Sequence, residues 1–140
     1  MAFGPNPPKI QAHVCVSDGR AAIAFYENAF GAVCAFHHMA EDGRRLLHAN
    51  LEMFGGEVML HDEFPEFGSD VLSPLSRGGA SMAINVNLPT PADVDAALAR
   101  AESAGANITL PAGDQFWGSR YGRIRDPFGH VWAFNAPLKK

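Results

Sequence analysis

Along the chain the apolar positions change period twice, in the same order both times. Ile10 to Val16 reads as a strand. Ser17 or Asp18 then offers a helix cap, and Ile23, Tyr26 and Phe30, spaced by three and four, place one apolar stripe on a helix over Ala21 to Phe30 that ends at Gly31. Val33 to Met39, Arg45 to Met53 and Glu57 to His61 follow as strands, parted by turns at Glu41-Asp42-Gly43 and Gly55-Gly56. The second half repeats this order. Met82 to Val86 is a strand, and Thr90-Pro91-Ala92-Asp93 opens a helix with a cap, a Pro at its first position and an acid at its third, continuing through Val94, Leu98 and Ala101 to Gly105. Near the end, Asp126-Pro127-Phe128-Gly129 carries tight-turn chemistry between strand-like Tyr121 to Arg125 and His130 to Phe134, so a hairpin is expected.

Gly31-Ala32 and Gly105-Ala106 mark matching helix ends, and Gly56 and Gly129 mark matching hairpins at nearly the same offset. Internal duplication is the economical explanation. The fold class is then α+β, with two tandem βαβββ modules, 10–64 and 80–136, in a single domain. A Pro- and Phe-rich connector, residues 61–79, joins them. Each module exposes one face of a curved sheet that it cannot cover by itself, so modules must pair, within the chain or between chains, and enclose a cavity. The connector is too rich in Pro and Phe for a plain linker; covering the pocket and bracing a dimer are both open to it.

A chain of 140 residues with 47% apolar content is the size of one ordinary domain. Net charge is −4, and Arg and Lys are scattered except for Lys139-Lys140, which argues against nucleic acid as a partner. Apolar runs are too short to span a membrane, and residues 1–8 lack the charged start and apolar core of an export signal, so a cytoplasmic protein is expected. Cys15 and Cys34 stand alone in apolar surroundings and read as small buried hydrophobes. No phosphate loop, Ser-His-Asp order or Cys-x-x-Cys pair is present.

The words Asp-Pro-Phe-Gly-His at 126–130 and Phe-Trp-Gly-Ser-Arg-Tyr-Gly at 116–122 resemble the closing hairpin of the glyoxalase, bleomycin-resistance and dioxygenase group, the vicinal oxygen chelate superfamily, and look most like its PhnB-like branch. Ser119 and the tail after Phe134 depart from that branch, which commonly has an acid at the first and a Thr-His ending at the second. The resemblance covers nearly the whole chain and implies the same paired-module architecture, commonly as a homodimer. It also implies where a divalent ion would be held: one ligand position on the first strand and one on the fourth strand of each module. These fall on Gln11, Leu60, Ser81 and Ala133. None is a His, Asp or Glu, so no cofactor is expected and the inherited metal site reads as vacant. The inference depends on strand register, because a slip of one residue turns the face over.

A relocated site is the alternative. His13 lies two residues beyond Gln11 and Asp62 two beyond Leu60, so either an ion or an acid–base pair of His13 and Asp62 is open to the chain. His37 and His38, being adjacent, point to opposite faces of a strand. His48 can face either the cavity or a cross-strand partner, and His130 reads as a closure of the hairpin. Aromatic weight collects at Phe116, Trp117, Tyr121, Trp132 and Phe134. Trp117 and Tyr121 pair apolar area with a polar tip, and Arg120 between them can meet an anionic group, whereas Trp132 and Phe134 read as core beneath a helix. The candidate ligand-binding set is thus Gln11, His13, His48, Trp117, Arg120 and Tyr121, with His13 and Asp62 as catalytic candidates. Two functions follow: a metal-free protein that binds a small organic molecule, aromatic ones included, or a lyase, isomerase or dioxygenase that uses a relocated site.

Overall fold

The computed structural model describes residues 8–68 and 70–139. The expectation about export drawn from residues 1–8 therefore lies, Pro8 apart, outside the described residues, as does Lys140 of the terminal basic pair. The chain forms two compact units, Met1–Gly79 and Ala80–Lys140.

The first unit runs β1 (His13–Val16), α1 (Gly19–Phe30), β2 (Val33–Met39), β3 (Leu46–Met53) and β4 (Gly56–Asp62), followed by a single 3-10 turn at Pro65–Phe67 and a short α2 (Pro74–Arg77). The second runs β5 (Ala83–Asn87), α3 (Pro91–Ala104), β6 (Asn107–Asp114), β7 (Ser119–Arg125) and β8 (Val131–Pro137). Each unit holds one four-stranded mixed sheet, in the order β1-β4-β3-β2 and β5-β8-β7-β6. In each sheet the first strand is parallel to the last and the remaining pairs are antiparallel. The two tandem βαβββ modules of an α+β fold are thus present. No helix among the described residues is long and apolar enough to cross a membrane.

Local chemistry sets the element ends. Asp18, rather than Ser17, caps α1: its carboxylate accepts from the Ala21 N–H at 3.1 Å, and the helix closes on Gly31 at φ 66°. Its buried stripe is Ala22, Phe25, Tyr26, Ala29 and Phe30, with Ile23 only half-buried. The Thr90 hydroxyl accepts from the Asp93 N–H and the Asp93 side chain accepts from the Thr90 N–H, a complete capping box at the start of α3. The β3–β4 hairpin turns one residue earlier than the Gly-Gly pair indicated. Phe54 (φ 51°) and Gly55 (φ 75°) occupy its left-handed positions, leaving Gly56 as the first residue of β4.

Asp126, 2% exposed, organises the closing hairpin. One carboxylate oxygen accepts from the Phe128 and His130 N–H groups at 2.9 and 3.0 Å, and the other from the Trp132 indole N–H at 2.9 Å. Trp132 and Phe134 are fully buried, as core residues should be. His130 takes part in the hairpin through its backbone, whose carbonyl accepts from the Asp126 N–H.

The connector folds onto the first unit. Arg45 forms a bidentate pair with Glu66 and lies 4.3 Å over the Phe64 ring, while Glu63 accepts from the Ser73 N–H at the cap of α2. These contacts give the Pro- and Phe-rich segment a bracing role within its own module.

Candidate functional site

Period-two alternation divides each sheet into an apolar and a polar face. In the first unit Val14 pairs with Leu60, and Leu60 with Ala49; all three are buried. Asp62 shares this face, and its carboxylate accepts from the Gly19 N–H at the start of α1 at 2.8 Å and from the Leu46 N–H at 2.7 Å. This is the side that packs on α1. The opposite face carries Gln11 and His13 at β1, His48 and Asn50 on β3, and Glu57, Met59 and His61 on β4.

The register therefore corrects two expectations. Leu60, taken as the fourth-strand position facing the ligand, belongs to the core; Glu57, Met59 and His61 face the side of Gln11 and His13 instead. Asp62 sits across the sheet from His13 with both oxygens committed to backbone donors, so the pair cannot act together as base and orienter. The alternation Val58-Leu60-Asp62 against Glu57-Met59-His61 reveals two faces, but the larger apolar set is claimed by the helix.

The polar face is a connected network. Glu57 accepts from the Gln11 side-chain amide at 2.5 Å and from that of Asn50 at 2.8 Å. A carboxylate only accepts, so the Asn50 nitrogen faces Glu57 and its oxygen is left for His48, whose Nε2–H donates to it. Asn50 is 2% exposed, and having a partner at both its oxygen and its nitrogen is what allows it to be buried. His61 donates from Nδ1 to its neighbour's carbonyl, Asp62 O, at 2.7 Å, which fixes the tautomer and leaves Nε2 as an acceptor. The exposed His13 ring lies edge-on to both His48 and His61, with centroids 5.5 and 4.7 Å apart. Partial burial, then the fields of His61 and His48, hold the His13 pKa below the ordinary imidazole value, so the ring is neutral at pH 7. His48 also stands opposite His38 of β2, so it both faces the network and has a cross-strand partner.

Cys15, in register with His61, is buried, and desolvation with the nearby Glu63 and Asp62 pushes its thiol up to about 12. It is not a nucleophile at neutral pH. The residues of this face do not make a fit for a divalent ion as they stand. Glu57 Oε1 is taken by two amides, and among the described residues no three His, Cys, Asp or Glu side chains are placed to hold one. A polar cleft of about 290 Å³ lies elsewhere, at the N-terminal end of α1, lined by Ser17, Asp18, Arg44, Arg45, Asp62, Glu63 and Pro65.

In the second unit Trp132, Phe134 and Gly122 face α3; a Cβ on Gly122 would come within 2.7 Å of Leu98. Arg120 belongs to this side as well, bridging Asp95 of α3 at 2.9 Å and Asp114 at 2.9 Å. Those two acids raise its pKa, and its charge is spent on them rather than offered beside Tyr121. The opposite face holds Tyr121, Arg123, Asn85, Asn87 and Asn135. The Arg123 Nε–H donates to the Tyr121 hydroxyl at 3.0 Å, and Trp117, half-exposed, meets the Tyr121 ring edge-on at 5.8 Å.

Of the candidates, Gln11, His13 and His48 come together on the first sheet, Trp117 and Tyr121 on the second, and Asp62 and Arg120 on neither polar face. Asn50, Glu57, His61 and Arg123 join these faces unforeseen; period two along β7 ties Arg123 to Tyr121, whereas the other three are placed by the pairing of β4 with β1 and β3.

Two βαβββ modules, each a mixed four-stranded sheet backed by one helix, define a two-module α+β protein. The chain belongs to the Glyoxalase/Bleomycin resistance protein/Dioxygenase superfamily, whose family model matches residues 10–134. It is 40% identical over 134 residues to an uncharacterized protein of Mycobacterium bovis, covering 95% of this chain and 86% of that protein. Among solved structures, TioX from Micromonospora sp. is 27% identical, with a TM-score of 0.68 and coverage of 92% of this chain and 95% of that one. The PhnB protein of Bacillus cereus, 18% identical over 92% of this chain and 99% of its own, shares the fold at a TM-score of 0.68.

Proposed function

We propose that this chain is a PhnB-like member of its superfamily that binds a small organic molecule without the usual divalent ion, acting as a cytoplasmic homodimer. The observation that carries the reading is the network Gln11–Glu57–Asn50–His48, flanked by the rings of His13 and His61: a prearranged set of donors and acceptors on a sheet face whose reverse is ordinary core. Such a face orients a guest by a few convergent polar groups. With Gln11 and Glu57 hydrogen-bonded to each other and Ser81 and Ala133 at the second module's positions, the donors favour recognition over ion binding. Its partners are the small molecule and a second copy of the chain, with no nucleic acid or membrane.

The test is a thermal-shift screen of drug-like aromatic compounds, paired with elemental mass spectrometry after incubation with Ni²⁺, Zn²⁺, Mn²⁺ and Fe²⁺. Expected are at least one stabilising compound whose shift is lost in Glu57→Ala, and well under one ion per chain. About one retained ion per chain, or a panel without a single stabilising compound, would overturn the reading.

A second reading rests on one observation: His61 offers an acceptor Nε2 fixed by its Nδ1–H, beside a neutral His13. That arrangement suits a general base in a lyase or isomerase. Turnover of a compound found in the screen, lost in both His61→Ala and His13→Ala, supports it; binding without turnover refutes it.

A further inference from the structure

The polar face of the second sheet has its own chemistry. Its registered positions include Asn85, Asn87, Asn135, Tyr121, Arg123 and Arg125, with no carboxylate among the described residues. Alternate positions on one strand face lie about 7 Å apart, so Arg123 and Arg125 place two guanidinium groups within reach of one guest. Both side chains are exposed, and among the described residues neither is held in an ion pair as Arg44, Arg45 and Arg120 are. Arg123 is oriented all the same: its Nε–H is held by the Tyr121 hydroxyl, with the guanidinium 5.5 Å from the centre of the Tyr121 ring. That bond consumes the single Nε donor and leaves the terminal nitrogens as an open fork, the shape that meets a carboxylate, sulfonate or phosphate in a bidentate manner. Asn85 donates its amide to the Asn87 oxygen at 3.0 Å, so the Asn87 nitrogen remains a donor on the same face. Apolar partners flank the arginine: Leu110 stands opposite Arg123 and is part-exposed, and Trp117 leans on Tyr121.

We propose that Arg123, aided by Arg125, anchors an anionic group of a guest bound on the second sheet's own face, and that this guest is a planar aromatic acid whose ring rests against Trp117, Tyr121 and Leu110. The inference rests on the small-molecule reading above and gives the second sheet a charged guest of its own. Arg120, already bound to two carboxylates, has no part in it.

The test is a fluorescence titration of the full chain with anilinonaphthalene sulfonate, a planar aromatic anion, beside its neutral analogue phenylnaphthylamine. Expected is binding of the sulfonate that weakens roughly tenfold or more in Arg123→Gln and less in Arg123→Lys, which keeps the charge but not the fork. The neutral dye should change by less than about twofold in the same variants, a control that the folded surface is intact, and Arg120→Gln should leave both dyes unchanged. A neutral dye that binds while the sulfonate is indifferent to Arg123 sinks the anion anchor and leaves the small-molecule reading standing. Failure of both dyes to bind the wild-type chain sinks both.

Discussion

The helix-facing halves of the two sheets are built alike, whereas their polar faces are near opposites in charge. On the α1 and α3 sides each module buries branched and aromatic residues around one acid that gathers backbone donors, Asp62 in the first and Asp126 in the second. On the other side the first sheet presents Glu52 and Glu57 with His13, His48 and His61, and the second presents Arg123 and Arg125 with three asparagines. The difference shows which half of a repeated module is constrained. A core position must fit its neighbours to within a methyl group, while a residue on the polar face is bound only by hydrogen bonding and charge, so the two modules share the first and differ in the second.

The common half is the place to strike for the largest effect. Asp126→Ala leaves the Phe128 and His130 backbone N–H groups and the buried Trp132 indole without their acceptor, and should cost about 3–5 kcal/mol by chemical denaturation. Asp62→Ala strands two donors and should cost about 2–4 kcal/mol. If either loss were under about 1 kcal/mol, the likeness of the two buried acids would be one of position alone. Next in size, Gly122→Ala forces a methyl group toward Leu98 and to 3.1 Å from the Leu110 carbonyl, with an expected cost of about 1–3 kcal/mol, again read by denaturation.

The divergent half yields a smaller, pH-dependent effect. The folded state lowers the His13 pKa, so below about pH 6.5 the unfolded chain binds a proton that the folded chain resists. Stability is fully present above that value and falls as the pH drops toward the folded pKa. A series of melts between about pH 7.5 and 5 should show the decline, and His13→Gln should flatten it. The second face carries no histidine among its registered positions; an unchanged profile in His13→Gln would mean that the pH sensitivity arises at a group other than His13.

Sequence patterning identifies the two long helices α1 and α3, their caps, the closing hairpin and the order of most strands, because those features depend on local periodicity and turn chemistry, whereas the one-turn α2 in the connector is too short to leave a period. Strand β6 was not delimited in the same way: Asn107–Asp114 includes Pro111, is mostly exposed and lacks a clean alternation. The polar faces were legible only in part. Gln11, His13 and Tyr121 lie on them, but Leu60, counted four residues on from Gly56, does not, because the hairpin turns at Phe54 and Gly55 and a shift of one residue turns the face over. Arg120 was chosen for its closeness to Trp117 in sequence. Period two ties Tyr121 to Arg123 instead, two residues on, and the pull of Asp95 and Asp114 on Arg120 arises from tertiary structure that no local pattern records.

The hydrogen bond that fixes the Trp132 indole on Asp126 also gives the molecule an internal pair of optical reporters. Trp132 is 1% exposed and anchored to a carboxylate, whereas Trp117 is 53% exposed on the open aromatic cluster. Their emission should therefore separate, with a blue-edge component that follows the integrity of the closing hairpin and a red-edge component, open to iodide quenching, that follows events at Trp117. Unfolding and occupancy of the second sheet can then be watched in one unlabelled sample.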